Sequence, residues 1–443
     1  MHKHLKTNKL QNTVIERHLN YEVHNTFRMK VKCALYVEVT EEADLPALDW
    51  DSLPQPLMVI GGGSNLLFAG DYPGTVLHVA INSVPGVISL PTPSTQKPSS
   101  TPLQGTSDVP GVTHKITPGT KVTVGAGVVF DDFCAWAASN NLWGPENLSL
   151  IPGEVGASAV QNIGAYGVEA KDIIAGIRAW DLRERKFADI DPADCQYGYR
   201  TSRFKTEWKG RFIITAVTYK LSIEPKPILD YGGVRKALED RGVRQVSPGN
   251  SAPLCSAPAP PIASCVLSSS ESLQASLSSF APRKELVFNG PLPLPVCGGA
   301  HVPGDTCLTP QVIRDTIITI RRKKLPDPEE IGSAGSFFCN PVISKEHFEQ
   351  IVKTAKADNG PDYEVPHYVV GNMIKVPAAW MIEQCGFKGA TNGGAQVYQN
   401  QPLVIVNASG HASPEEIIGL EQRIIDTIAT KYGITLHPEV EHV

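Results

Sequence analysis

Two glycine-rich segments carry the first chemical signal. Gly61, Gly62 and Gly63 follow the apolar run LMVI and precede Ser64 and Asn65. Backbone without side chains can approach a diphosphate closely and aim several N–H groups at it, and the serine hydroxyl and asparagine amide add donors. The triplet is not GxGxxG, so a Rossmann dinucleotide site is excluded at its first test, and a glycine triplet alone is also compatible with a plain tight turn. The second segment, GPENLSLIPGEVGASAVQNIGAYGVE (144–169), sets Gly153, Gly156, Gly164 and Gly167 among small and amide-bearing residues and shows neither a helical nor a strand period. Such a stretch can lie against a large planar ligand where bulkier side chains would block approach.

Those segments need elements to hold them. LMVIGGGSNLLF (57–68) reads as a strand entering a glycine turn, TVLHVAI (75–81) as a second strand, and KVTVGAGVVFDDFCAWAASNN (121–141) as a strand, turn and helix. Ser413-Pro414-Glu415-Glu416 is a capping box with proline at the first helical position, and Ile417, Leu420, Ile424 and Ile428 follow at helical spacing up to Gly433. After it, ITLHPEVEHV alternates like a strand. The period of Val312, Ile313, Ile317 and Ile320 predicts a helix over 311–324, which puts the basic run Arg321–Lys324 at its C-terminal end, where Arg321 and Arg322 complement the helix dipole. The fold class is α+β.

A chain of 443 residues, 42% hydrophobic, can bury two or three cores. Its net charge of -5 comes from basic and acidic residues mixed along the chain, which excludes nucleic acid as an expected partner. No apolar stretch reaches the roughly 20 residues needed to span a bilayer, and the opening MHKHLKTNKLQN lacks the apolar centre of a secretory signal, so no membrane association and a cytoplasmic location are expected. Two stretches, about 89–111 and about 242–304, are rich in Ser and Pro and read as flexible insertions. The nine cysteines form no CxxC pair and read as free thiols. Cys255, Cys265, Cys297, Cys307 and His301 cluster, but their spacing matches no zinc template, so no metal is expected.

GGGSNLLF together with IPGEVGASAVQNIGAYG resembles the flavin-binding pair of the UDP-N-acetylenolpyruvoylglucosamine reductases, within the vanillyl-alcohol-oxidase (PCMH-type) superfamily of FAD enzymes. Asn25-Thr26-Phe27 fits the family's opening, and GYR-x-S-x-FK (198–205), AGSFFCNP (334–341) and HPEVEHV (437–443) match further family segments in order. The resemblance covers roughly 20–240 and 305–443. It implies two FAD-binding subdomains, 20–84 and 85–223, and a substrate-binding domain, 224–443. It also implies NADPH as reductant, a UDP-sugar as substrate and a monomer. No histidine or cysteine stands at an obvious attachment point in the glycine motifs, so the FAD is expected to be non-covalent.

Reducing an enolpyruvyl ether requires hydride at the terminal carbon, a proton at the neighbouring carbon, and stabilisation of the charge that builds on the carboxylate. By resemblance Arg200 stabilises, its fork matching a carboxylate in two places. Ser336 is implied as the general acid, and Glu439 as its partner, ahead of the nearby Glu441. Gly61, Gly62, Gly63, Ser64 and Asn65 are implied to cradle the FAD diphosphate, and Gly153, Gly156, Ser158, Asn162, Gly164, Tyr166 and Gly167 to line the rest. Tyr199, Tyr231, Lys324, Asn340 and Gln401 are implied to contact substrate. Cys339 stands where many family members have lysine, so a charge contribution from that position is in doubt. Another FAD oxidoreductase acting on a sugar or alcohol, and a silent paralogue that binds UDP-sugar or flavin, are the alternatives.

Overall fold

The computed structural model describes residues 16–82, 120–243 and 308–443. The 89–111 stretch, nearly all of 242–304, and the cluster of Cys255, Cys265, Cys297, Cys307 and His301 lie outside them. Contacts group residues 1–237 with 309–443, apart from 238–308.

Within the larger unit the glycine triplet hangs from a four-stranded sheet, ordered Glu16–Glu22, Lys32–Val39, Tyr72–Val79, Leu57–Ile60. The last three strands run parallel; Lys32–Val39 and Tyr72–Val79 bury apolar residues on both faces, whereas in Leu57–Ile60 only Ile60 is fully buried and Val59 is exposed. Alternation divides them: Cys33, Tyr36, Ile60 and Val76 enter one core, while Leu35, Val37, Val39, Leu77 and Val79 enter another. The first core is completed by the C-terminal elements, the second by an antiparallel sheet ordered Lys186–Ile190, Ile174–Asp181, Phe212–Leu221, Thr120–Gly125. The glycine triplet therefore stands at the end of a strand shared by both cores, which fixes it from two sides.

The expected α+β class holds. The helix announced by the capping box spans Pro414–Tyr432, with Ser413 Oγ accepting from the Glu416 N–H and Gly433 closing it at φ 68°. The helix expected over 311–324 spans Pro310–Lys324.

Three expectations need correction. The strand expected over 434–443 is confined to Glu441–His442, paired in parallel with Leu66–Leu67. The alternation that suggested it is burial of Ile434, Leu436 and Val440 in a core, with no ladder along most of the segment. Within 144–169, read as lacking a helical period, Val155–Gln161 forms a short helix. Its small residues let it lie close to neighbouring backbone, so it needs no apolar stripe: a Cβ on Gly156 would stand 2.9 Å from Ala126 Cβ. Arg321 is no mere dipole partner. It shares the inward face of its helix with Arg314 and Ile317, and its Nε is buried.

Candidate active site

A cavity of about 950 Å³ runs along the glycine triplet. It is lined by Gly61 through Leu66, by Gly156, Ala157 and Val160 of the short helix, and by Phe204, Lys205 and Trp208. That size and mixed lining suit a ligand as large as a dinucleotide. The glycines are required by space. Gly63 has φ +63°, and a Cβ there would stand 2.5 Å from the His24 carbonyl oxygen; one on Gly153, at φ +113°, would stand 2.7 Å from Ser64 Oγ. Replacing Gly63 with alanine should cost about 1–3 kcal/mol, read by urea denaturation. Unchanged stability would refute the packing role.

Not every polar residue of these segments faces the cavity. Ser158 is buried, its hydroxyl bonded to the Val155 carbonyl and, at 2.8 Å, to Tyr219. The buried Asn162 donates to the Gly198 carbonyl and to Glu169 and accepts from the Lys171 N–H. Their side chains tie the segment together, so contact with a ligand falls to backbone there. Asn65 is similarly committed, its amide donating to the Glu439 carbonyl at 3.0 Å, while its own carbonyl accepts from the Glu441 N–H. The triplet and the C-terminal segment are thereby one unit.

Beside that unit sits the charged cluster. Arg200, in left-handed backbone at φ 56°, meets Glu439 Oε1 through Nε at 3.0 Å. The approach is a charge contact, since the buried Nε has no aligned hydrogen-bond acceptor among the described residues. Nη2 donates to the Gly164 carbonyl. Burial raises Glu439 above the ordinary carboxylate value, and the Arg200 and Lys205 cations oppose it only in part. A carboxyl so placed is the kind that can hold or pass a proton.

Ser336 is half-buried, and its hydroxyl makes no hydrogen bond among the described residues. Its neighbour Phe337 fixes the chain, donating to the Leu403 carbonyl and accepting from the Glu439 N–H at 2.8 Å. Ser336 and Glu439 are thus held on adjoining backbone. Burial, with Glu439 adding its charge, pushes the Cys339 thiol up to about 11, so this position brings no charge at neutral pH.

Around the pair stands an aromatic and cationic rim. Tyr199 lies under the Arg200 guanidinium at 5.3 Å and under the Lys375 ammonium at 4.9 Å, and its hydroxyl accepts from Asn340 at 3.2 Å. Tyr231 stacks on Tyr368, ring centres 5.4 Å apart. Burial lowers Arg321, and nearby Arg200 adds to this against the pull of Tyr166 and Asp131. Lys375 is lowered likewise, by burial and by Arg200. Two cations, each gathered beside Arg200 against its repulsion, make a place for anionic groups.

The structure therefore brings together Arg200, Glu439, Tyr199, Asn340, Gly164 and Tyr166, with Ser336 alongside. Lys324 is exposed at its helix end and Gln401 lies in the turn before Val404; neither is hydrogen-bonded or ion-paired to the cluster among the described residues. Sequence reasoning passed over Lys375, Tyr368 and Arg321. Only Arg321 left a signal, its spacing of seven residues from Arg314 on one helix face.

Residues 327–443 match the family model of the UDP-N-acetylenolpyruvoylglucosamine reductase C-terminal domain, and residues 107–184 match that of an FAD binding domain. The UDP-N-acetylenolpyruvoylglucosamine reductase of Porphyromonas gingivalis is 35% identical over 423 residues, 95% of this chain and 96% of that one. The chain belongs to the UDP-N-acetylenolpyruvoylglucosamine reductase family. The reductase of that name from Bacteroides fragilis is also 35% identical, over 95% of this chain and 97% of its own length. The crystal structure of the Thermus caldophilus enzyme matches 97% of this chain and 98% of its own with a TM-score of 0.52; at 18% identity it shows a shared fold.

Proposed function

We propose that this chain catalyses the NADPH-dependent, FAD-mediated reduction of UDP-N-acetylglucosamine-enolpyruvate to UDP-N-acetylmuramate, a step of peptidoglycan precursor synthesis. The observation that carries the reading is the half-buried Arg200–Glu439 pair, bound to the second glycine segment at Gly164 and to the Ser336 segment through Phe337.

The cavity and its glycines fit FAD. Gly61 through Asn65 would hold the diphosphate, and backbone of 153–167 the remainder, without covalent attachment. Bound there, FAD supplies the hydride, taken first from NADPH.

The chain's own residues supply orientation and charge. Arg200, already paired by charge with Glu439, turns its fork to the substrate carboxylate as negative charge develops. Ser336 delivers the proton to the carbon beside that carboxylate. Glu439, with its raised affinity for protons, supports Ser336 and replaces its proton. Arg321, Lys375 and Lys324 meet the UDP diphosphate, while Tyr199, Tyr231, Asn340 and Gln401 contact the rest of the substrate.

The proposed organisation is two FAD-binding subdomains, 20–84 and 85–223, and a substrate domain, 224–443, acting as a cytoplasmic monomer. Among the described residues no helix is long and apolar enough to cross a membrane.

Purified protein should be yellow, and its NADPH oxidation should depend on the enolpyruvyl substrate. A colourless protein with no extractable flavin would overturn the reading.

A further inference from the structure

A charge cluster that the reaction does not use adjoins the glycine triplet. Glu154 leans over Gly61 and Gly62: a Cβ on Gly61 would stand 2.8 Å from its Oε2, and one on Gly62 3.6 Å from its Oε1. Oε2 is buried and has no hydrogen-bond partner among the described residues. Oε1 meets Nε2 of His78 at 3.2 Å. His78 is on the strand Tyr72–Val79, paired with Ile60, the last residue before the triplet. Its Nδ1 meets Glu38 Oε2 at 3.3 Å and the Tyr36 hydroxyl at 3.0 Å, and Tyr36 stacks on Tyr21. Glu154, Glu38 and Tyr36 are the titratable groups that face the ring.

A neutral imidazole donates from one nitrogen, whereas here each nitrogen has a carboxylate as partner; only the imidazolium donates to both. Burial acts to lower the His78 pKa, but the two carboxylates outweigh it and hold the ring above its ordinary 6.5. The charge matters because an uncompensated Glu154 carboxylate would repel any phosphate brought to Gly61 and Gly62.

We propose that His78, as an imidazolium, is a positioning residue for FAD: it neutralises Glu154 and holds its carboxylate toward the sheet, which leaves the triplet's backbone to the diphosphate. The inference rests on the reading that this triplet cradles the FAD diphosphate. It makes cofactor affinity a function of pH. Apoprotein should bind FAD most tightly on the acid side of the His78 titration and lose affinity as pH rises through it.

The test is titration of apoprotein with FAD between pH 6 and 9, followed by quenching of flavin fluorescence. His78→Gln keeps a donor for Glu154 and removes the charge, so affinity at pH 6 should fall about tenfold, one pKa unit's worth of interaction. Adding Glu154→Gln to that variant should restore binding. Glu154→Gln alone should bind FAD with little dependence on pH, a result that stands even where His78→Gln folds poorly. Wild-type affinity in His78→Gln across the range, no restoration in the double variant, or an unchanged pH dependence in Glu154→Gln would each overturn the proposal. Gly62→Leu separates the two readings: it should block FAD binding outright. Normal binding there would overturn the cradle itself, and the role of His78 with it.

Discussion

Replacing Ser336 with alanine should lower substrate reduction by roughly 10²–10⁴-fold, the usual contribution of a positioned acid, while NADPH still reduces the bound flavin at close to the wild-type rate. The asymmetry follows from where the serine stands. Its hydroxyl makes no hydrogen bond among the described residues, so removing it breaks none of those that hold the fold. The buried Phe337 beside it keeps its bonds to the Leu403 carbonyl and the Glu439 N–H, so the segment should stay in place. Only the proton donor is lost. Single-turnover stopped flow separates the half-reactions: flavin bleaching with NADPH reads the first, and its reoxidation by the enolpyruvyl substrate reads the second. Equal loss in both would show that Ser336 supports the site instead of donating the proton.

How far the sequence reaches toward this site depends on whether a signal is local. The capping box at Ser413 and the apolar period behind it specify a helix through neighbours three and four residues away, and the helix forms as read. The glycine triplet is legible for the same reason, because no side chain is the constraint. Arg321 shows the opposite case. Its place in a basic run suggests a dipole partner, yet its ionisable neighbours include Tyr166, Asp131 and Arg200, more than a hundred residues away in sequence. Nothing local announces them. His78 and Glu154, 76 residues apart, are likewise joined only by the meeting of a strand with the chain ahead of a short helix.

The same limit explains the C-terminal segment. Period-2 alternation in 434–443 reports alternate burial, which a ladder produces but which a single extended segment laid over a core produces as well. Here Ile434 and Leu436 are held by side-chain packing, while from His437 on the chain is tied by backbone bonds to two different segments: His437 and Glu439 to Cys339 and Phe337 around the Phe338–Pro438 bridge, then Glu441 and Val443 to Asn65 and Leu67. Glu439 stands at the change from one partner segment to the other, its N–H bonded to the Phe337 carbonyl and its carbonyl to Asn65, and there its side chain meets Arg200.

Arg200→Met should destabilise the protein by about 1–3 kcal/mol near pH 8, because it leaves the largely enclosed Glu439 carboxylate, 15% exposed, without its cation. The pH dependence has a definite sign. Burial already raises Glu439 above 4.5 in the folded protein, and loss of Arg200 removes the largest charge that opposes this. A carboxyl whose folded pKa is raised favours the folded state most below its unfolded pKa, and that advantage disappears as pH rises through the folded value. The variant should therefore lie closer to wild type at pH 5 than at pH 8, as read from urea denaturation at both. Adding Glu439→Gln should recover much of the loss at pH 8, since no buried charge then remains. Activity should not return with stability: the double variant lacks the fork for the substrate carboxylate, and turnover should stay at least about 10²-fold down. A deficit independent of pH and untouched by Glu439→Gln would mean that Arg200 serves the fold through its bond to Gly164 and its packing on Tyr199, with the ion pair contributing little.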